Sequence, residues 1–125
     1  MGYGRRRQFV MLRGELRMVD LEPVRGAEAD KRRPAVIVSN DAANGTAARL
    51  GRGVLTIVPV TSNVERVYPF QVLLPAGTAG LTRDSKAQAE QVRSIDANRI
   101  GEQLGRLPDV LMTSLDDALR LHLAL

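Results

Sequence analysis

The sequence predicts a mainly β (α+β) domain, a small antiparallel β-barrel with short helices and a C-terminal amphipathic helix. Three observations carry this. The chain has 125 residues, which suits one domain. Its 44% hydrophobic content is enough for a real core and argues against wholesale disorder. Finally, five or six short apolar runs bounded by turn residues precede one segment of helical period.

Residues 1–12, rich in Gly and Arg, read as a flexible basic arm, with the barrel domain over 13–125; Met11 is a second candidate start. Leu16, Met18, Val19 and Leu21 loosely suit a first strand. Glu22 to Arg33 is a polar loop with Pro23, Gly26 and several charges, and loops of that length are usually functional or disordered. Ala35-Val36-Ile37-Val38-Ser39 is a β-branched run and predicts a buried strand, with Pro34 at its first position. Asn40-Asp41 and Asn44-Gly45 then signal turns.

Val54 to Val60 is the strongest strand, and Pro59 places that end at a sheet edge or bulge. Phe70 to Leu74 is another, stopped by Pro75-Ala76-Gly77. Ala87 to Ile95 reads as one further strand with alternating polar residues. Asp96 caps a short helical turn reaching Ile100. From Pro108-Asp109 the chain predicts the main helix, with Leu111, Leu115, Leu119 and Leu123 four apart.

Composition removes several chemistries. With no Cys there is no disulfide, thiolate metal site or Cys nucleophile. The single His, His122, lies in the Leu stripe of the last helix, and one His supports neither a two-histidine mechanism nor a His-rich metal site. No nucleotide-loop or metal motif is present, so neither metal nor cofactor is expected. No apolar run approaches the roughly 20 residues that span a bilayer, and a signal-peptide core is lacking, so a soluble cytoplasmic protein is expected.

Charge is informative by position. The net +4 lies wholly in residues 1–13, through Arg5, Arg6, Arg7 and Arg13; the remainder balances. Within that balanced body, residues 31–66 are basic and 84–117 acidic, which is compatible with a basic face for a polyanion and also with ordinary surface scatter.

Two places stand out chemically. In Lys31-Arg32-Arg33-Pro34, the residue before proline is held extended, so an Arg there would present its planar fork in a defined direction, as phosphate binding needs. The same Arg reads equally as a solvated loop charge. Thr61-Ser62-Asn63, where the strongest strand ends, offers two hydroxyls and an amide, or simply turn chemistry.

Arg13-Gly14-Glu15, Val19-Asp20-Leu21-Glu22-Pro23, Gly26-Ala27-Glu28, Arg33-Pro34-Ala35-Val36, Ser39-Asn40-Asp41, Val58-Pro59-Val60-Thr61-Ser62 and Glu90-Gln91-Val92-Arg93-Ser94-Ile95-Asp96 occur in this order. Together they resemble a MazF/PemK-type toxin. The resemblance implies an SH3-like β-barrel, a homodimer, and an endoribonuclease that cuts single-stranded RNA at short sequences without a metal. It also implies an acidic, MazE-like antitoxin that blocks the RNA groove. By position it assigns catalysis to Arg33 and Thr61, and RNA contact to Glu28, Lys31, Asn40, Ser62, Glu90 and Gln91. One branch of the family places an Arg and an Asp two residues apart on the later strand. Here Gln88 and Glu90 stand there, and Gln88 cannot transfer a proton. Glu28 and Glu90 remain as general-base candidates.

Two other readings compete. Toxins resembling CcdB share the barrel, bind DNA gyrase and cut nothing. A non-catalytic RNA-binding module is weakened by the scarcity of aromatic residues, which are Tyr3, Phe9, Tyr68 and Phe70 only.

Overall fold

A computed structural model of the chain describes residues 10–21 and 32–125. The elements run β1 (Glu15–Asp20), β2 (Arg32–Ile37), α1 (Asp41–Leu50), β3 (Val54–Thr61), β4 (Gln71–Leu74), β5 (Ser85–Gln88), β6 (Arg93–Asp96), β7 (Ile100–Arg106) and α2 (Asp109–Leu123). Short 3-10 turns occupy Thr78–Gly80, Ala89–Gln91 and Ala97–Arg99.

The alternating side chains of β2 and β3 divide the interior in two, because successive strand residues point to opposite faces. Val36, Val58 and Val60 enter one cluster with Leu16, Leu74, Leu107 and Leu115, which is covered by α2. Ala35, Ile37, Leu55 and Ile57 enter a second with Val19, Ile95 and Ala47 and Ala48 of α1. Val10 and Met11 already belong to this body. Met11 packs in the second cluster, and the Val10 carbonyl accepts a bond from Arg17 at 2.8 Å. In α2 only Leu115 of the Leu stripe is fully buried; Leu123 and His122 are exposed.

The strands form a seven-stranded antiparallel sheet ordered β4-β5-β3-β2-β1-β7, with β6 also on β3. This matches the expected class, but the barrel is not closed by hydrogen bonds: among the described residues no ladder joins β4 to β7. Packing bridges the gap instead. The 78–80 turn lies so close to β7 that a Cβ on Gly105 would fall 2.4 Å from the Ala79 carbonyl, and one on Gly80 2.2 Å from the Leu104 oxygen. Gly80 also has φ +83°, so only glycine fits that turn.

Four expectations need correction. Residues 40–45 form a cap and a helix rather than turns. The Asn40 side chain accepts from the Ala43 N–H at 2.8 Å, and the following Ala-rich stretch favours α1. Residues 87–95 are two strands rather than one. Ala87 and Ala89 point into the first cluster whereas Ile95 points into the second, so the chain must break between them, which the Ala89–Gln91 turn does. The seven-residue strand β7 was not expected, since Gly101 and Gly105 hide its alternation. Pro59 lies inside a central strand, paired with Ala35. It is tolerated because the other side of β3 changes partner there, from β6 at Val54–Ile57 to β5 at Val60 and Thr61.

Candidate active site

The β2–β3 ladder pairs Ala35 with Pro59, Val36 with Val58 and Ile37 with Ile57. Beyond this ladder Arg33, near the start of β2, pairs with Val19 of β1, and Thr61 is the last residue of β3. Thr61 pairs with Lys86 of β5, and Lys86 pairs in turn with Leu73 of β4. Thr61, Lys86 and Leu73 therefore form one row across β3, β5 and β4.

The end of this row opens on a cleft of about 200 Å³ lined by Arg32, Arg33, Thr61, Ser62, Thr82, Arg83 and Ser85, with Pro34, Val60 and Leu81 as its apolar wall. Among the described residues no carboxylate lines it. Arg32 is anchored on Glu102 of β7 at 2.6 Å. The cleft thus offers guanidinium and hydroxyl donors to an anion.

The segment after Thr61 is built by its own side chains. Thr61 Oγ1 accepts the Asn63 N–H at 3.2 Å, and Asn63 Oδ1 accepts the Glu65 N–H at 3.2 Å. Lys86 Nζ donates to the Arg66 carbonyl at 2.6 Å and so holds the far end of the loop. The Thr61 hydroxyl that accepts this bond also carries a proton it can donate.

A family model for "PemK-like, MazF-like toxin of type II toxin-antitoxin system" matches residues 12–123. The chain belongs to this family. Among PemK/MazF-like relatives, the endoribonuclease MazF9 of Mycobacterium tuberculosis is 60% identical over 116 residues, covering 93% of this chain and 98% of that protein. Endoribonuclease EndoA of Bacillus subtilis is 31% identical, covering 94% and 97%. A crystal structure of MazE-MazF from Deinococcus radiodurans superposes with a TM-score of 0.69 at 30% identity, covering 93% of this chain and 97% of that one.

For a PemK/MazF-like toxin, the residues singled out from sequence fall in different places. Arg33, Thr61 and Ser62 meet at the cleft. Asn40 caps α1 at the opposite end of β2 from Arg33. Glu90 and Gln91 lie in the 3-10 turn rather than in a strand. Glu90 Oε2 accepts from Gln71 at 2.7 Å, its Oε1 is buried with no partner among the described residues, and it does not line the cleft. Glu28 and Lys31 lie outside the described residues. Sequence reasoning missed Arg83, Thr82 and Lys86. The first two sit in a polar turn with no motif; Lys86 could have been found only from the strand register.

Proposed function

We propose that this PemK/MazF-like chain is the toxin of a type II toxin–antitoxin pair and an endoribonuclease for single-stranded RNA, with Arg33 and Thr61 at the scissile phosphate. The observation that carries this is the meeting of Arg33 and Thr61 in a cleft lined by arginine and hydroxyl side chains. The identity to MazF9 over nearly its whole length supports the activity.

In this reading the 2′-oxygen of a ribose attacks the adjacent phosphorus and the bond to the 5′-oxygen breaks. The products are a 2′,3′-cyclic phosphate and a free 5′-hydroxyl. Negative charge gathers on the non-bridging oxygens in the transition state. The Arg33 guanidinium supplies charge-assisted hydrogen bonds to those oxygens. Thr61 donates its hydroxyl proton to the same group.

One proton must leave the 2′-hydroxyl and another must reach the leaving oxygen. Since no carboxylate lines the described cleft, the base is sought in the segment just before Arg32, which carries Glu22, Glu28 and Asp30. Glu28 is the candidate there.

The partners follow the family. The MazE-MazF structure from Deinococcus radiodurans supports a cognate antitoxin, whose acidic segment would compete for the cationic cleft. A homodimer is supported by apolar surface left at the end of α2, where Leu121, Leu123 and Leu125 are exposed. No helix of the described residues is long and apolar enough to cross a membrane, in keeping with action on cytoplasmic RNA. The gyrase-binding, CcdB-like alternative is not favoured, because the matched family and the relatives are PemK/MazF-like toxins and endoribonucleases.

The test is incubation of the purified protein with mixed RNA in EDTA, followed by mapping of the product ends. Cyclic phosphate and 5′-hydroxyl ends are expected at a short recurring sequence. Intact RNA, together with inhibition of gyrase, would replace this reading with the CcdB-like one.

A further inference from the structure

Beyond Thr61, the loop that follows it and its strand neighbour Lys86 shape a second concavity of about 310 Å³, lined by Asn63, Glu65, Arg66, Tyr68 and Lys86. Its central feature is an aromatic ring held in solvent. Tyr68 is 41% exposed, yet it is fixed from several directions. Phe70 stacks parallel to it with ring centres 5.3 Å apart and planes 3° from parallel. Arg66 reaches over the ring, its Cζ 5.9 Å from the centre, and donates to the Tyr68 hydroxyl at 3.2 Å. Gln71 Oε1 takes the Tyr68 N–H at 3.1 Å, and Lys86, only 8% exposed, holds the Arg66 carbonyl.

We propose that this concavity is a nucleotide subsite, in which one base flanking the scissile phosphate stacks on Tyr68 while Arg66 and Lys86 meet the neighbouring phosphate. The proposal rests on the endoribonuclease reading. Three observations carry it. Lys86 links the two places, since it walls the second concavity and is the cross-strand neighbour of Thr61 in the first, so an RNA chain held at Thr61 is led toward it. The chemistry is that of single-strand binding, an aromatic face beside cations that follow the backbone. The ring is also immobilised in advance, so binding loses little side-chain entropy.

The base takes the ring face that Arg66 now covers, and the flexible guanidinium moves to the outer side of the base or to its phosphate. Asn63 and Glu65 stand at the rim with an amide and a carboxylate, which can read donor and acceptor groups on the base edge. The subsite thus becomes a source of sequence preference on one side of the cut.

The experiment uses RNA oligonucleotides carrying the mapped cleavage sequence, blocked by a 2′-O-methyl group at the reacting ribose, with 2-aminopurine placed at each flanking position in turn. At one position the wild-type protein should quench the fluorophore by stacking. Tyr68→Ala should abolish that quench and weaken binding about tenfold or more. Tyr68→Phe, which keeps the ring, should retain the quench. At saturating protein Arg33→Ala, although it binds the RNA more weakly, should still quench, separating the subsite from the catalytic step. With unblocked random RNA, Tyr68→Ala should still cut, more slowly, with its base preference lost at that same position.

Quenching and base preference unchanged in a folded Tyr68→Ala protein would overturn the subsite while leaving the endoribonuclease reading intact. A Tyr68→Ala protein altered only in oligomeric state would overturn it equally, since the ring would then serve a protein interface. Failure of the wild-type protein to bind or cut RNA would overturn both.

Discussion

Arg33 and Thr61 line one cleft from the adjoining ends of β2 and β3, although helix α1 separates them in sequence. The register of these two strands is fixed deeper in the sheet, where Val36 pairs with Val58 and Ile37 with Ile57, all fully buried. A slip of one residue would turn each of those side chains to the wrong face, so core packing holds in place the strand ends that carry the proposed catalytic pair. Stability and chemistry are coupled through the same two strands.

Arg83 gives a measurement of the cleft's electrostatics. It is exposed and lines the cleft opposite the strand ends. If it neutralises one phosphate, Arg83→Ala should weaken binding of a non-cleavable RNA and reduce the slope of log affinity against log salt by about 0.7. An unchanged slope in a titration between low and moderate salt would remove Arg83 from the interface.

Gly105 tests how the cleft wall is supported. Its missing side chain lets the 78–80 turn approach, and that turn leads into Leu81, Thr82 and Arg83. Gly105→Ala should destabilise the fold by about 1–3 kcal/mol or more, read as a lower urea midpoint, and should slow RNA cleavage under conditions where the protein remains folded. An unchanged midpoint would contradict the close contact.

Asn44 is the fully buried polar residue that ties α1 to the sheet. Its Nδ2 donates to the Ser39 carbonyl at 2.8 Å and its Oδ1 accepts from the Ser39 hydroxyl at 2.5 Å, while Ser39 Oγ accepts the Thr56 N–H at 3.0 Å. Asn44→Ala strands the Ser39 carbonyl and should cost about 1–3 kcal/mol. Combined with Ser39→Ala the loss should be less than additive, because both act on one network. Strict additivity in urea unfolding would contradict that linkage.

The central strands and α2 were legible in the sequence because their signals are local. Val54 to Val60 is apolar and β-branched, and the Leu stripe repeats at helical spacing. The elements that were missed depend on distant contacts. Asn40-Asp41 and Asn44-Gly45 have turn composition, and only the cap on Ala43 together with burial of Asn44 makes them a helix. The break at Ala89–Gln91 is imposed by two separate cores that no short window reveals. For the site, Arg33, Thr61 and Ser62 were readable as residues beside a proline and a strand end, whereas Lys86 joins them only through the pairing of β3 with β5. The scarcity of aromatic residues counted against a non-catalytic RNA-binding module, and the fold stacks two of the four, Tyr68 and Phe70, on each other.

The most direct measurement compares RNA cleavage by the wild-type protein, Arg33→Ala and Thr61→Ala under identical conditions, with circular dichroism and urea unfolding as controls for folding. Each variant should lose at least about a hundredfold in rate while keeping the wild-type spectrum and urea midpoint. Wild-type rates from both folded variants would contradict the assignment of the scissile phosphate to this pair.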